Sequence, residues 1–153
     1  MRCVVSVAAV SLLLACACPP SAYAGLDDKA PDAQSIAALQ LKASQAQPKE
    51  QCFLYAEVVH EMTEYSSAQY AAGDIDKAAD TLKHIPAFAQ KIHLMMTNDE
   101  KRLKNAQILL RHTAFRLTEL LHATSMEDRP LVEQTLAQVN QLQSETMMQV
   151  FQK

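Results

Sequence analysis

Glycine is almost missing from this 153-residue chain: it occurs only as Gly25 and Gly73. Two isolated glycines cannot form a Gly-rich phosphate loop, and no strand-turn-helix serine motif is present, so neither phosphate-cradling nor serine-nucleophile chemistry is indicated. Cysteine is nearly as scarce, at Cys3, Cys16, Cys18 and Cys52. No Cys-x-x-Cys-His run exists, which excludes covalently attached haem. Positive charge is not in excess either. Fourteen Lys and Arg face 17 Asp and Glu, for a net charge of −3, a poor match to nucleic acid. What the chain does hold is Ala, Leu, Gln, Met, Glu and Lys, the strong helix formers. An all-α fold is expected.

Residues 1–24 read as an export signal. Met1-Arg2 supplies a short positive start, Val4 to Ala15 is an apolar run without charge, and Ala22-Tyr23-Ala24 precedes Gly25 as a small-x-small cleavage site. The run is shorter than the roughly 20 residues that a spanning helix needs, so no transmembrane span is expected in the mature form. Cleavage after Ala24 leaves Cys52 as the one thiol, without a disulfide partner. A rival processing at Leu13-Leu14-Ala15-Cys16 would anchor the chain by a lipid on Cys16 and retain Cys18, a candidate partner for Cys52. The expected location is periplasmic or secreted.

Residues 25–31 form a flexible leader, and 32–153 a single domain. A short helix is expected from Asp32 to Ala46, ended by Pro48. A second, from Lys49 to Ala72, turns Cys52, Tyr55, Ala56, Val59, Met62, Thr63, Ser66 and Tyr70 to one side. Gly73 stops it, and Asp74 is expected to cap a third helix. That helix directs Ile75, Ala78, Ala79, Leu82, Ile85, Ala89, Ile92 and Met96 inward, with Pro86 interrupting and bending it. A break near Thr97-Asn98-Asp99-Glu100 is favoured over one helix from 75 to 124, which would reach roughly 75 Å and outrun its neighbours. The fourth helix (99–124) then buries Leu103, Ala106, Leu110, Thr113, Ala114, Leu117, Leu121 and Thr124. The last (130–152) buries Val132, Thr135, Leu136, Val139, Leu142, Thr146 and Val150. The resulting fold is a four-helix up-down bundle with a short additional N-terminal helix. No long repeat emerges.

The hairpin from Gln69 to Ala78, with Ala72-Gly73-Asp74 at its tip and the small Ser66 and Ala78 flanking it, resembles the internal turn of a tetratricopeptide repeat. The resemblance covers one hairpin of about 34 residues with no second copy. It implies a local helical hairpin only.

Several residue patterns have a chemical reading and a plainer one. Glu57-Val58-Val59-His60 and Glu119-Leu120-Leu121-His122 repeat the Glu-x-x-His spacing of di-iron bundles. Helical phase puts Glu57 and Glu119 about 160° from the inward direction, and the third helix has no Glu between 75 and 96, so solvated side chains are the expectation. His60-Glu61-Met62-Thr63-Glu64 is similar to a zinc-protease helix, but Glu64 stands where the second His is required. Six methionines follow the signal, and His93 is expected to point inward beside Met96. Thioethers with an imidazole suit copper(I) or haem, while packing is the ordinary use of both. No cofactor or metal is assigned. Cys52 is expected to be a buried, inert thiol, and no catalytic residue is assigned.

One surface is less ordinary. On the fourth helix Lys101, Lys104, Arg111 and His112 surround Ile108 and Phe115, and both apolar residues point outward, about 160–180° from Leu117. Cations framing exposed apolar groups suit an acidic partner or membrane headgroups. Docking of the first helix onto this face is the favoured internal explanation, with the back of the second helix (Phe53, Leu54, Val58, Tyr65) competing for it. The functional expectation is an exported, non-enzymatic module that acts by contact with a protein or envelope-surface partner. The alternative is a metal- or haem-binding bundle using His93 and inward methionines. The acidic second and basic fourth helix would attract each other within one chain or between two, and the sequence gives no oligomeric state.

Overall fold

An Asp32 carboxylate accepts from the Ser35 backbone N–H while Ser35 Oγ accepts from the Asp32 N–H, and this reciprocal box opens the first helix. The computed structural model describes residues 31–96 and 100–151. The signal (1–24), most of the leader, Cys16, Cys18 and the Thr97-Asn98 position all lie outside the described residues. Five helices make up the rest: α1 (Ala33–Gln45), α2 (Pro48–Ala71), α3 (Ile75–Leu94), α4 (Glu100–Ala123) and α5 (Arg129–Phe151). The fold is all-helical, without a strand among the described residues.

Most expected boundaries fall within two residues of these. Pro48 is the first residue of α2, where its missing N–H costs nothing. Gly73 sits at φ 82° between α2 and α3, a left-handed backbone that other residues resist. Two expectations there need correction. Asp74 makes no side-chain cap and pairs instead with Lys77. Ile75 is exposed, because the inward seam of α3 begins at Ala78. Pro86 does not interrupt α3, which runs through it to Leu94.

The buried positions follow a heptad-like alternation of three and four. In α2 they are Cys52, Tyr55, Val59, Met62, Ser66 and Gln69; in α4 they are Leu103, Ala106, Leu110, Thr113, Leu117 and Leu120. The expected inward Leu121 is only half-buried and Leu120 takes its place, as that alternation requires. Ala78, Leu82, Ile85, Ala89 and Ile92 of α3 meet Val132, Thr135, Val139, Leu142 and Thr146 of α5 in the same manner. Such spacing permits shallow-angle packing of long helices.

Direction follows from the pairings. Glu50 bonds Arg102 and Glu64 bonds Arg116, each across 52 residues, so α2 and α4 run parallel. Tyr55 lies against Phe88 while Ser66 bonds Ala78, so α2 and α3 run antiparallel. The long helices are ordered α2, α3, α5, α4 around their common core; α3 and α4, although consecutive, do not touch. The close approach at the top of the first hairpin uses the small pair noted in the sequence. Ser66 and Ala78 are fully buried, and Ser66 Oγ donates to the Ala78 carbonyl at 3.0 Å.

The buried threonines of this core are already satisfied. Thr63, Thr113, Thr135 and Thr146 are buried, and each donates its hydroxyl to the carbonyl four residues earlier at 2.8–2.9 Å. Cys52 is a buried free thiol whose pKa burial pushes up to about 11. A thiol in that state is a small apolar side chain, as its inward phase implied.

Candidate functional site

The helical phase of α4 puts its outward residues in a second stripe, opposite the seam. Lys101, Lys104, Ile108, Arg111, His112 and Phe115 all lie on it and all are exposed. Ile108 is 45% accessible and Phe115 63%. Lys104 is paired with Glu100 one turn back, whereas Lys101, Arg111 and His112 make no ion pair or hydrogen bond among the described residues.

The stripe is open because α1 goes elsewhere. The expected docking of the first helix on α4 is not what the structure shows: among the described helices α1 packs against α2 alone. Ile36 and Ala43 are buried there, and Leu54 and Val58 on the back of α2 are buried with them. The physical reason lies in the width of the α2 stripe. α2 carries Leu54, Ala56 and Val58 in addition to its heptad positions, a second apolar edge without counterpart in α4. The two-residue connection Ala46-Gln47 also keeps α1 beside the start of α2.

On its α2 side the stripe passes into a shallow cleft of about 560 Å³, lined by His60, Glu64, Arg111, His112, Phe115 and Arg116. Its floor is a fixed polar network. Arg116 grips both oxygens of Glu64, through Nε at 2.7 Å and Nη2 at 2.9 Å, and reaches Glu119 with Nη1 at 2.6 Å. Those hydrogen bonds, Glu64 first and then Glu119, push the guanidinium pKa still higher. A forked pair of this kind sets geometry as well as charge. His60 Nδ1 lies 3.1 Å from Thr113 Oγ1. The Thr113 proton is given to the Leu109 carbonyl, so the hydroxyl accepts and His60 carries its proton on Nδ1. Burial, ahead of the opposing pull of Glu64, lowers the His60 pKa, with His112 and Arg116 adding to the effect.

The sequence reading found the α4 half of this cleft and missed the α2 half. In the sequence His60 figures only in metal-like motifs, while Glu64 also belongs to the acidic face of the second helix; the complementary basic fourth helix, with Arg116, is the signal for that pairing. The Glu-x-x-His carboxylates are engaged differently from a di-iron arrangement: Glu119 is tied to Arg116, and Glu57 raises the pKa of its neighbour Glu61, where burial is the larger cause. Among the described residues no three His, Cys, Asp or Glu side chains gather at one point.

His93 is corrected outright. Its side chain is 60% exposed and bonded to Glu145 of α5 at 2.8 Å. Ile92 holds the inward position, which leaves His93 at the edge of the seam where α3 borders α5. Met96 is half-buried, while Met147 and Met148 are exposed at the surface. No helix among the described residues is long and apolar enough to cross a membrane. No protein-family model matches the chain, and no curated protein or solved structure matches it.

Proposed function

We propose that the chain is an exported, non-enzymatic four-helix up-down bundle with one added N-terminal helix, and that it works by contact. The contact surface is the outward stripe of α4: Lys101, Lys104, Ile108, Arg111, His112 and Phe115. Export rests on the character of residues 1–24. The single observation that supports contact is the uncovered pair Ile108 and Phe115, which stay exposed while α1 is held against α2.

An aromatic ring and a branched aliphatic side chain framed by basic side chains, of which Lys104 is paired with Glu100, suit a partner surface that is apolar at its centre and acidic at its rim. Arg116 and Glu64 would hold the edge of that surface rigid. Such a stripe binds without bond-making groups: the neighbouring hydroxyl, Thr113, is buried and spent on a backbone carbonyl. A protein partner is the first expectation and an anionic envelope surface the second.

The test is the double substitution Ile108→Ser/Phe115→Ser in the full-length chain, with cross-linking and pull-down from the native host. Because both residues are exposed, the thermal midpoint is expected to stay close to that of the parent. The captured partner is expected to be lost. An unchanged set of captured proteins, together with unchanged sedimentation with anionic vesicles, would remove this surface from the function.

A further inference from the structure

We infer that the common end of α3 and α5 binds a soft monovalent cation, copper(I) or silver(I), through His93, Met96 and Met148, with Glu145 orienting the imidazole. This goes beyond the proposed contact function and uses a different part of the molecule.

The sequence contains the same spacing twice, as His93-Leu94-Met95-Met96 and as Glu145-Thr146-Met147-Met148. The fold sets these two segments side by side. His93 Nδ1 and Glu145 Oε2 are 2.8 Å apart, across 52 residues, and the parallel helices α3 and α5 pack together there. Three residues is close to one helical turn, so Met148 follows Glu145 along its edge of α5, while Met96 lies just past the end of α3, two residues beyond Leu94. In both segments the methionine pair comes next along the chain after the bonded His–Glu pair.

Packing does not account for all of these methionines. Met95 and Met96 rest partly on the core, but Met147 and Met148 are 43% and 52% exposed. Thioethers carry no charge and bind no protons near neutral pH. Together with imidazole they select copper(I) among the cations a protein meets, and they are poor ligands for hard ions. His93 is suitably arranged for this. Its Nδ1–H faces a carboxylate, and Nε2 has no other protein partner among the described residues, which is the usual support for a metal-binding imidazole. Glu145 is itself held in place by Gln141, which donates to its other oxygen at 2.9 Å. α3 ends at Leu94, so its last carbonyls add negative potential at the same end. A cleft of about 380 Å³, lined by Pro86, Gln90, His93, Gln138 and Glu145 among others, opens one side of the His–Glu pair to solvent.

Silver nitrate titrated into the chain in chloride-free buffer, followed by calorimetry and by methionine-methyl NMR, tests this directly. Uptake of one equivalent is expected, with shifts at the Met96 and Met148 methyls and the His93 ring. Met96→Leu/Met148→Leu preserves volume and is expected to weaken binding at least about tenfold, a loss typical of damaged metal sites. Copper(I) presented with a competing chelator is expected to follow the same order among variants. Cys52→Ser is expected to bind as the parent does. Absence of uptake, indifference to the methionine substitutions, or loss of binding in Cys52→Ser would each overturn the assignment.

Discussion

Burial is the main reason that His60 resists protonation. Because Thr113 donates to Leu109, it accepts from His60 Nδ1, and protonating the half-buried ring would add charge beside Arg116 and His112. The folded-state pKa is therefore below the ordinary value, near 6.5. Between the two values the unfolded chain takes up a proton that the folded chain refuses, so stability is full above about pH 6.5 and declines as pH falls. His60→Gln is expected to flatten that decline in urea unfolding between neutral and mildly acidic pH. The slope it removes lies well under about 1.4 kcal/mol per pH unit, the ceiling for one site, since the ring is partly solvated. Equal slopes in the two proteins would show that His60 does not sense folding. At this scale the sequence was partly legible. The buried fate of Cys52 followed from its phase in a long helix, where several turns constrain the seam. His93 lies one residue from the end of α3, where Ile92 and Ile85 define the seam and a neighbour at 100° reaches only its border.

Helices and their breaks were the most legible features, because Gly73 and Pro48 each act through local chemistry. Gly73 is the sharpest case. It adopts φ 82°, yet a Cβ built there meets nothing within 4 Å, so conformational strain and crowding can be separated. Gly73→Ala is expected to lower stability by about 1 kcal/mol through backbone strain alone. Gly73→Asn is expected to cost less, since Asn tolerates the left-handed region. Equal losses in thermal melts of the two variants would point to something other than φ. The choice of dock for α1 was less legible, because the backs of α2 and α4 both carry outward apolar residues, although only α2 has a full second edge. That wider edge and the chain connectivity decide between them. A two-residue link places α1 against α2, where Leu54 and Val58 complete an apolar edge.

At the scale of the whole molecule, the two hairpins α2–α3 and α4–α5 lie in parallel, and no residue identity announces it. Cys52, Tyr55, Val59 and Met62 repeat in space as Leu103, Ala106, Leu110 and Thr113, sharing spacing and little else. What carries the register into chemistry is charge. The acidic α2 and basic α4, which the sequence left free to join one chain or two, meet inside this one through Glu50–Arg102 and Glu64–Arg116. Partly exposed pairs contribute about 1 kcal/mol at most, so they select an alignment and do little to hold it; the buried seam does the holding. A charge exchange reads that alignment. In a Glu119→Gln background, which removes the competing pair within α4, Glu64→Arg and Arg116→Glu are each expected to lower the urea midpoint. Combined, they are expected to recover most of the loss, because the exchanged charges again face each other across the same turn. Additive losses in the double variant would mean that these side chains do not meet in solution, and the parallel register of α2 and α4 would have to be redrawn.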